Sequence, residues 1–271
     1  MVHTFLSLNA AFAIACRSWP CQRNAMCIRQ FAAADDSSSD GRADTSQSVD
    51  SSSSGSRPRV RQHVNPLASS YQKPIELAAQ WPSSLFSDPS LPFHVDIGCA
   101  KGTFCMELAR SRPDLNVLGL EIRRPVAAYC SEVAEASGLP NVGFLACNAN
   151  VDMARILDGV NEKSRVARVS IQYPDPHWKA RHQKRRVVQP ELIAAIAART
   201  DEDCDVFLQS DVFEVAQEMR ERFREDEAFE DTVADLSSWI EVNPTGVPTE
   251  REIATFKKGL PVYRALLAKK R

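Results

Sequence analysis

From about residue 93 onward, the chain alternates between short runs rich in β-branched residues and longer stretches with helical apolar spacing. Such alternation is typical of β-α-β units, which build a mostly parallel sheet with helices on both of its faces. The predicted strands span residues 93–98, 117–121, 142–147, 166–173 and 205–210, and the predicted helices span 102–111, 125–137, 151–157, 191–199 and 211–224. Two strand-like segments near the end, 229–233 and 262–267, predict an antiparallel edge. The expected fold class is therefore α/β, with a doubly wound sheet.

The first part of the chain differs in composition from the rest. Residues 1–34 contain no Asp or Glu, carry Arg17, Arg23 and Arg29, and suit an organelle transit peptide, with a secretory leader or plain disorder as alternatives. Residues 35–55 hold nine serines and five aspartates, a composition that does not repay the entropy of ordering. We therefore expect a disordered linker over 35–58 and a single folded domain over 59–271.

Net charge and cysteine content constrain the function only weakly. A net charge of −2 and a pI near 6.2 do not indicate a nucleic-acid binder, but a global balance averages over faces, so local charge must decide. The eight cysteines include no C-x-x-C pair, which argues against a disulfide framework or a zinc spacing and fits a reducing compartment. No apolar run approaches the roughly 20 residues that span a bilayer. We expect neither a metal site nor a membrane partner.

The stretch from His94 to Gly102 is a buried strand that runs into a glycine turn and then a helix. In open α/β sheets such a turn forms a ligand crevice, because glycine lets the backbone approach a cofactor closely. The spacing departs from the dinucleotide pattern G-x-G-x-x-G, since Ala100 and Thr103 occupy its second and third glycines. The alternative is a tight strand-to-helix turn without a ligand.

Polar side chains after the next two strands sharpen this prediction. Glu121 closes the second strand, where a carboxylate can accept both ribose hydroxyls of an adenosine group. Asn148 follows the third strand, where its amide can reach an adenine edge or, alternatively, cap a helix. Together these positions favour S-adenosylmethionine (AdoMet) over a dinucleotide. The predicted cofactor site comprises Asp96, Gly98, Gly102, Glu121, Ile122, Asn148, Ala149 and Gln172.

The fourth strand ends in Tyr-Pro-Asp-Pro-His-Trp-Lys, residues 173–179. Two prolines fix the backbone, so Asp175 is expected at a rigid position in the crevice; the alternative is an aspartate that caps its own turn. His177 and Trp178 are candidates for stacking on a base. A basic run follows, comprising Lys179, Arg181, Lys184, Arg185 and Arg186. Beside Asp175 we interpret this run as an RNA backbone surface, extended by Arg57, Arg59 and Arg61, whereas on charge alone a solvated loop is the simpler interpretation.

These residues resemble the family of tRNA (guanine-N7-)-methyltransferases, whose fourth strand ends in Pro-Asp-Pro before a basic run. The resemblance covers about residues 59–269 and includes Asp-Ile-Gly at 96–98, Gly-Leu-Glu-Ile at 119–122, Gln-Ser-Asp at 209–211, Thr-Glu-Arg-Glu at 249–252 and Gly-Leu-Pro-Val-Tyr-Arg at 259–264. It implies a class I AdoMet-dependent methyltransferase fold, with residues 59–271 as the catalytic domain. It also implies methyl transfer from AdoMet to N7 of a guanine in the variable loop of tRNA.

The resemblance further implies residue roles and partners. Asp175 is the expected catalytic residue, and the expected substrate contacts are Lys179, Asp211, Thr249, Glu250, Arg251 and Glu252. The expected partner is tRNA, with no obligatory protein subunit and with the chain as a monomer or homodimer. Because the likeness is to bacterial and plastid members, we expect a chloroplast location, with the mitochondrion or cytoplasm as alternatives. The chain departs from the family at Ala100, Asp96 and Asn148, where glycine, glutamate and aspartate are common, which bears on cofactor affinity more than on reaction type.

Guanine chemistry supports the resemblance independently. N7 carries an in-plane lone pair, so no base has to remove a proton before attack, and the protein must place N7 and balance the moving charge. A pyridine-nucleotide oxidoreductase is disfavoured by the missing glycines, and a catalytically silent RNA-binding relative by the intact Asp175 and Glu121. A C5-pyrimidine methylase needs a crevice cysteine, whereas the Pro20-Cys21 pair lies in the leader. The alternative that stays open is a methyltransferase that acts on a small molecule or a protein, because the AdoMet-binding half of its site would be the same.

Overall fold

The structure is a computed structural model that describes residues 64–178 and 180–271. The transit peptide predicted over 1–34, the linker predicted over 35–58, the three leader-side arginines 57, 59 and 61, and Lys179 all lie outside the described residues.

Within the described residues, the chain forms seven strands and six α-helices. The strands are β1 Phe93–Ile97, β2 Asn116–Glu121, β3 Val142–Ala146, β4 Val166–Gln172, β5 Asp205–Ser210, β6 Phe229–Asp231 and β7 Tyr263–Lys269. The helices are α1 Thr103–Ser111, α2 Arg124–Ala136, α3 Ala149–Asn161, α4 Pro190–Ala197, α5 Phe213–Glu225 and α6 Glu250–Lys257. Short 3-10 helices span Ser69–Tyr71 and Ala180–Arg185. Each predicted strand and helix is present, although α3 is longer at both ends than the predicted 151–157.

The strands form one sheet in the order β3-β2-β1-β4-β5-β7-β6. Strands β1 to β5 pair in parallel, whereas β7 runs antiparallel to both β5 and β6. The predicted α/β architecture with an antiparallel C-terminal edge is therefore confirmed, and it is the class I methyltransferase architecture that the resemblance implies. The chain changes direction across the sheet between β1 and β4, which is where open α/β sheets bind ligands beyond the carboxyl ends of their strands.

Apolar side chains on both faces hold the sheet between its helices. Successive residues of a strand point to opposite faces, and in β2 Val117 joins a cluster with α1 and α2 while Leu118 joins a second cluster with α3, α4 and α5. Strand β1 is buried along its whole length, as expected for a central parallel strand. Because both faces are covered, ligands have access to the carboxyl edge of the sheet rather than to its faces.

A segment before β1 packs along α3. The Ile75 amide donates to Asp152 Oδ1 at 2.9 Å, and Trp81 Nε1 donates to the Ile156 carbonyl at 3.1 Å. Gly159 lets the indole lie against the helix, since a Cβ at this position would stand 2.2 Å from Trp81 Cδ1. The path of the chain from residue 64 to β1 was not predicted from the sequence, because these contacts join residues that are 75 or more positions apart.

In the described part of the chain, no helix is both long and apolar enough to cross a membrane. Over the same residues, no group of three or more His, Cys, Asp and Glu side chains is arranged to hold a metal ion.

Candidate active site

Two cavities open side by side at the carboxyl edge of the sheet. The β2 cavity has a volume of about 380 Å³ and includes Glu121 and Asn148 in its lining, and the β5 cavity has a volume of about 430 Å³ and includes Asp211 and Thr249. Both lie in the range of small-molecule sites, roughly 300 to 1,000 Å³. Six residues line both cavities and form the boundary between them: Gly98, Ala100, Gln172, Tyr173, Pro174 and Asp175. The turn after β1 and the loop after β4 therefore separate two adjoining binding spaces.

The turn after β1 lines the β2 cavity through Gly98 and Ala100. Gly98 has a φ of +84° and Ala100 a φ of +49°, a left-handed conformation that costs alanine about 1 kcal/mol relative to glycine. Gly102, which we predicted in the cofactor site, lines neither cavity. A Cβ on Gly102 would stand 2.6 Å from the Phe144 ring, so this glycine allows α1 to pack closely on the sheet. The prediction for Gly98 is compatible with the structure, whereas Gly102 has a packing role.

Glu121 lies at the end of β2 with 4% of its surface exposed and lines the β2 cavity. Its Oε1 accepts from the backbone and Nε of Arg123, and its Oε2 accepts from Arg123 Nη2, all at 2.9 Å. The hydrogen bond to this carboxylate raises the pKa of Arg123. A carboxylate has about four acceptor sites, so the fork fixes its orientation and leaves capacity for a ligand hydroxyl. Sequence analysis missed Arg123, although its position two residues after Glu121 was a usable signal.

Asp96 and Gln172 belong to a buried polar group at the centre of the sheet. Asp96 Oδ1 accepts from Ser170 Oγ at 2.6 Å and from Gln172 Nε2 at 2.9 Å, and burial raises the pKa of its carboxyl group. Asp96 lines the β5 cavity and not the β2 cavity, whereas Gln172 lines both. The predicted cofactor role therefore fits Gln172 directly, and Asp96 chiefly orients it.

Asn148 and Ala149 begin α3, and they line the β2 cavity together with Ile122. Asn148 Oδ1 caps the helix by accepting from the Asn150 amide at 3.2 Å, which is the alternative that its position in the sequence left open. Its Nδ2 donates to the carbonyls of Pro66 and Tyr71 at 3.3 and 3.1 Å. Both amide hydrogens are thus engaged by the chain itself, whereas Oδ1 keeps a second lone pair, and the contact of Asn148 with an adenine edge stays a prediction.

The loop after β4 carries Asp175 at the boundary of the cavities. Tyr173 and His177 have φ values of +49° and +45°, which are uncommon for residues other than glycine and tend to occur at functional sites. Burial raises the pKa of the Tyr173 phenol. Asp175 also acts electrostatically across the β2 cavity, because its charge contributes to the raised pKa of Arg123. The structure therefore brings the predicted catalytic carboxylate between the two spaces.

The far wall of the β5 cavity is built from Asp211 and the start of α6. Arg251 donates through Nε and Nη2 to Asp211 Oδ2 at 2.9 and 2.6 Å, and Thr249 and Glu250 complete this wall. Glu252, predicted as a substrate contact, is only 2% exposed and lines neither cavity. Its carboxylate forms a capping box with Thr249 and accepts from Arg264 Nη2 at 2.7 Å. Both oxygens of Glu252 therefore serve the internal packing of α6, and its contact with substrate stays a prediction.

The basic run after Trp178 divides into residues with different surroundings. Lys184 is exposed, Arg185 lines the β2 cavity, and Arg186 turns inward. Arg186 Nε donates to the Pro176 carbonyl at 2.8 Å and its Nη1 forms an ion pair with Glu218, so it anchors the loop and is a poor candidate for an RNA backbone contact. Burial, reinforced by the neighbouring Arg222, lowers the pKa of Arg186. The side chain of Arg181, like Lys179, lies outside the description. Trp178 stands 68% exposed at the edge of the β5 cavity.

Comparison with known proteins identifies the family of the chain. A family model described as "Putative methyltransferase" matches residues 90–265. The tRNA (guanine-N(7)-)-methyltransferase of Synechococcus elongatus is 47% identical over 212 residues, which cover 78% of this chain and 96% of the relative. The enzyme of the same description from Synechocystis sp. is 45% identical over 211 residues, covering 78% and 97%.

The chain also resembles solved structures. The 16S rRNA methyltransferase KamB gives a TM-score of 0.47 at 15% identity, covering 72% of this chain and 96% of that one. The family assignment therefore depends on the sequence relatives, whose identity extends over nearly their whole length. On that ground, the chain belongs to the family of tRNA (guanine-N(7)-)-methyltransferases.

Proposed function

We propose that this chain carries out the reaction of its family, the transfer of a methyl group from AdoMet to N7 of a guanine in tRNA, with AdoMet in the β2 cavity and the guanine in the β5 cavity. The observation that carries this assignment is the shared boundary: Asp175, fixed between Pro174 and Pro176, lines both cavities. A methyl transfer needs donor and acceptor to meet in line, and two adjoining cavities with one carboxylate between them provide that geometry.

The β2 cavity has the chemistry that AdoMet requires. Its acidic group is Glu121, oriented by Arg123 and suited to the ribose hydroxyls, and the left-handed turn at Gly98 and Ala100 brings backbone close to the ligand. Gln172 adds an amide held from both sides, since it donates to Asp96 and accepts from Gln209. When bound, AdoMet supplies an electrophilic methyl group on a positively charged sulfur.

Asp175 and Asp211 divide the remaining work. Asp175, at the boundary, is suited to balance the positive charge that moves from the sulfonium onto the purine. Asp211 lines the β5 cavity but not the β2 cavity, and Arg251 holds its carboxylate in place. This position suits Asp211 to accept from the guanine N1–H and 2-amino groups. No side chain has to act as a base on N7 before attack, because the lone pair of N7 lies in the plane of the ring.

The surface around the β5 cavity suits single-stranded RNA. The exposed indole of Trp178, at the edge of the β5 cavity, offers a stacking face for a base next to the target. Lys184 is exposed next to Arg185, which lines the β2 cavity, and offers a cation for phosphate. Lys179 and Arg181 are assigned to the same surface from the sequence. We assign the activity to the single chain, as a monomer or homodimer.

We also propose a chloroplast location, with residues 1–34 as the transit peptide. Two observations support it: the first 34 residues lack acidic side chains, and the relatives named above belong to cyanobacterial genera, the lineage from which plastids descend. Fusion of residues 1–58 to a fluorescent protein tests the proposal. Fluorescence confined to chloroplasts supports it, whereas fluorescence in mitochondria or throughout the cytoplasm overturns it.

The central experiment incubates the purified chain with AdoMet carrying a labelled methyl group and with unmodified tRNA. We expect label in tRNA, as N7-methylguanosine. A matched RNA with 7-deazaguanine at the labelled position presents C–H in place of the N7 lone pair and should accept no label. Label in added protein or in metabolites rather than in tRNA would favour the small-molecule or protein methyltransferase, and label in the 7-deaza RNA would exclude N7 as the acceptor.

A further inference from the structure

Residues 64–72, here called the wall segment, close one side of the β2 cavity. Val64 and Pro66 line this cavity, opposite residues from the carboxyl ends of the strands. The segment folds on itself: the Tyr71 amide donates to the Ala68 carbonyl at 2.8 Å, and Gln72 Nε2 donates to the Pro66 carbonyl at 2.7 Å. It is therefore a preformed turn placed against the cavity.

The wall segment is held by polar contacts rather than by a core. Val64, Pro66, Ala68 and Tyr71 are half-buried and the other five residues are exposed, but none of the nine packs against either apolar cluster, so the core contributes little to the position of the segment. Its attachment to the sheet is through Asn148, whose Nδ2 donates to the carbonyls of Pro66 and Tyr71, while the next anchor along the chain is Ile75 on α3. Segments with few apolar contacts open locally at low free energy. The two bonds from Asn148 are thus the contacts best placed to keep this wall closed.

We propose that Asn148 is a positioning residue that acts as a latch: it holds the wall segment over the β2 cavity and so slows release of AdoMet. This inference rests on the proposed function, since it takes AdoMet as the occupant of that cavity. The chemistry of the side chain supports it, because Oδ1 is engaged at the start of α3 and both Nδ2 hydrogens are engaged by the wall segment. Aspartate, which is common at this position in the family, cannot make these two contacts, since a carboxylate only accepts and would face two carbonyl oxygens.

The test uses the full chain with Asn148→Asp, which keeps an oxygen to cap α3 but removes both donors. Without AdoMet, amide hydrogen exchange in the wall segment should accelerate at least about tenfold, while exchange in α3 stays unchanged. The dissociation rate constant of AdoMet should rise by about tenfold, with a smaller change in the association rate constant. Asn148→Ser, which keeps a capping oxygen without adding charge, should give the same two changes.

Asn161→Asp is the matched control, because it places the same substitution at the other end of α3, where Nδ2 donates to the Arg199 carbonyl. It should alter neither wall-segment exchange nor AdoMet release. The latch is refuted if Asn148→Asp and Asn148→Ser weaken AdoMet binding while exchange of the wall segment stays at the wild-type rate, because Asn148 then contacts the ligand directly. It is also refuted if exchange accelerates and AdoMet release does not. Failure of the wild-type chain to bind AdoMet refutes the proposed function instead, and the exchange measurement still reports whether Asn148 holds the segment.

Discussion

Gln209 lies directly opposite Gln172 in the parallel pair of β5 and β4, and its Nε2 donates to Gln172 Oε1 at 2.7 Å. Gln172 in turn donates to Asp96 on β1, and Gln209 accepts from Arg264 on β7 at 3.1 Å. A row of buried polar side chains therefore crosses four strands beneath the boundary of the two cavities. Each member fixes the rotamer of the next, so Gln172 is oriented before any ligand arrives.

The first prediction concerns this row. Gln209→Leu removes the amide between its two neighbours and leaves Arg264 Nε and Gln172 Oε1 without this partner. The free energy of unfolding should therefore fall by about 2 to 3 kcal/mol. Denaturant unfolding measures the change. Gln217→Leu on α5, where the amide contacts Glu221 at the surface, is the control and should change stability by less than about 0.5 kcal/mol. Equal effects of the two substitutions would show that the row contributes nothing.

The second prediction concerns the ribose contact. Glu121→Gln keeps the shape of the side chain but removes the charge that Arg123 orients, so AdoMet binding should weaken by about 1.5 to 3 kcal/mol. Calorimetric titration gives the affinity. Glu107→Gln, which breaks a surface pair with Arg110, should leave the affinity unchanged. Unaltered affinity in Glu121→Gln would contradict the assignment of the β2 cavity.

Local sequence signals predicted the scaffold because they depend on near neighbours. Runs rich in β-branched residues indicated the strands, and strand ends indicated where Glu121 and Asp175 would meet the crevice. These predictions needed only periodicity and the rule that ligands bind beyond the carboxyl ends of parallel strands.

The features of the site that the sequence did not predict are contacts between distant parts of the chain. Arg251 binds Asp211, which lies 40 positions earlier in the chain, and the Asn148 amide binds Pro66, which lies 82 positions earlier. Arg186 forms an ion pair with Glu218 on α5. A basic run indicates the charge of a loop but not which arginine turns inward. Gly102 was assigned to a ligand because the sequence does not show that Phe144, on β3, packs closely against it.

The third prediction separates two residues of the basic run. Lys184→Ala should raise the KM for tRNA and lower the salt dependence of binding by about one released counterion, since the side chain is exposed next to Arg185, which lines the β2 cavity. Arg186→Ala should instead lower the free energy of unfolding by about 1 to 2 kcal/mol, because it removes the bond to Pro176 and the pair with Glu218. Filter binding over a salt series and thermal unfolding measure the two effects. A wild-type salt slope in Lys184→Ala would mean that RNA contacts another face.

The fourth prediction concerns acid stability. His94 is fully buried on β1, and burial holds its pKa well below 6.5, so the unfolded chain binds a proton more readily than the folded chain. Stability is therefore retained above the unfolded pKa and falls as the pH drops below about 6.5, at up to about 1.4 kcal/mol per pH unit. His94→Gln keeps a donor for Ser170 Oγ and should flatten this slope. Parallel slopes for the wild type and the variant, from urea unfolding at pH 5.5 and 7.5, would exclude His94 as the source.

The fifth prediction concerns the carboxylate at the boundary of the cavities. Asp175→Asn keeps the size and hydrogen-bonding reach of the side chain but removes the charge that balances the developing purine cation, so kcat should fall by roughly 10²-fold. AdoMet affinity and the KM for tRNA should change little, because the Glu121 fork and the exposed surface at Lys184 are untouched. Single-turnover methylation isolates the chemical step. Asp158→Asn, which alters only a surface pair with Arg199, is the control and should retain the wild-type rate. If Asp175→Asn keeps full kcat and instead raises the KM for tRNA, the residue positions the guanine rather than balancing charge.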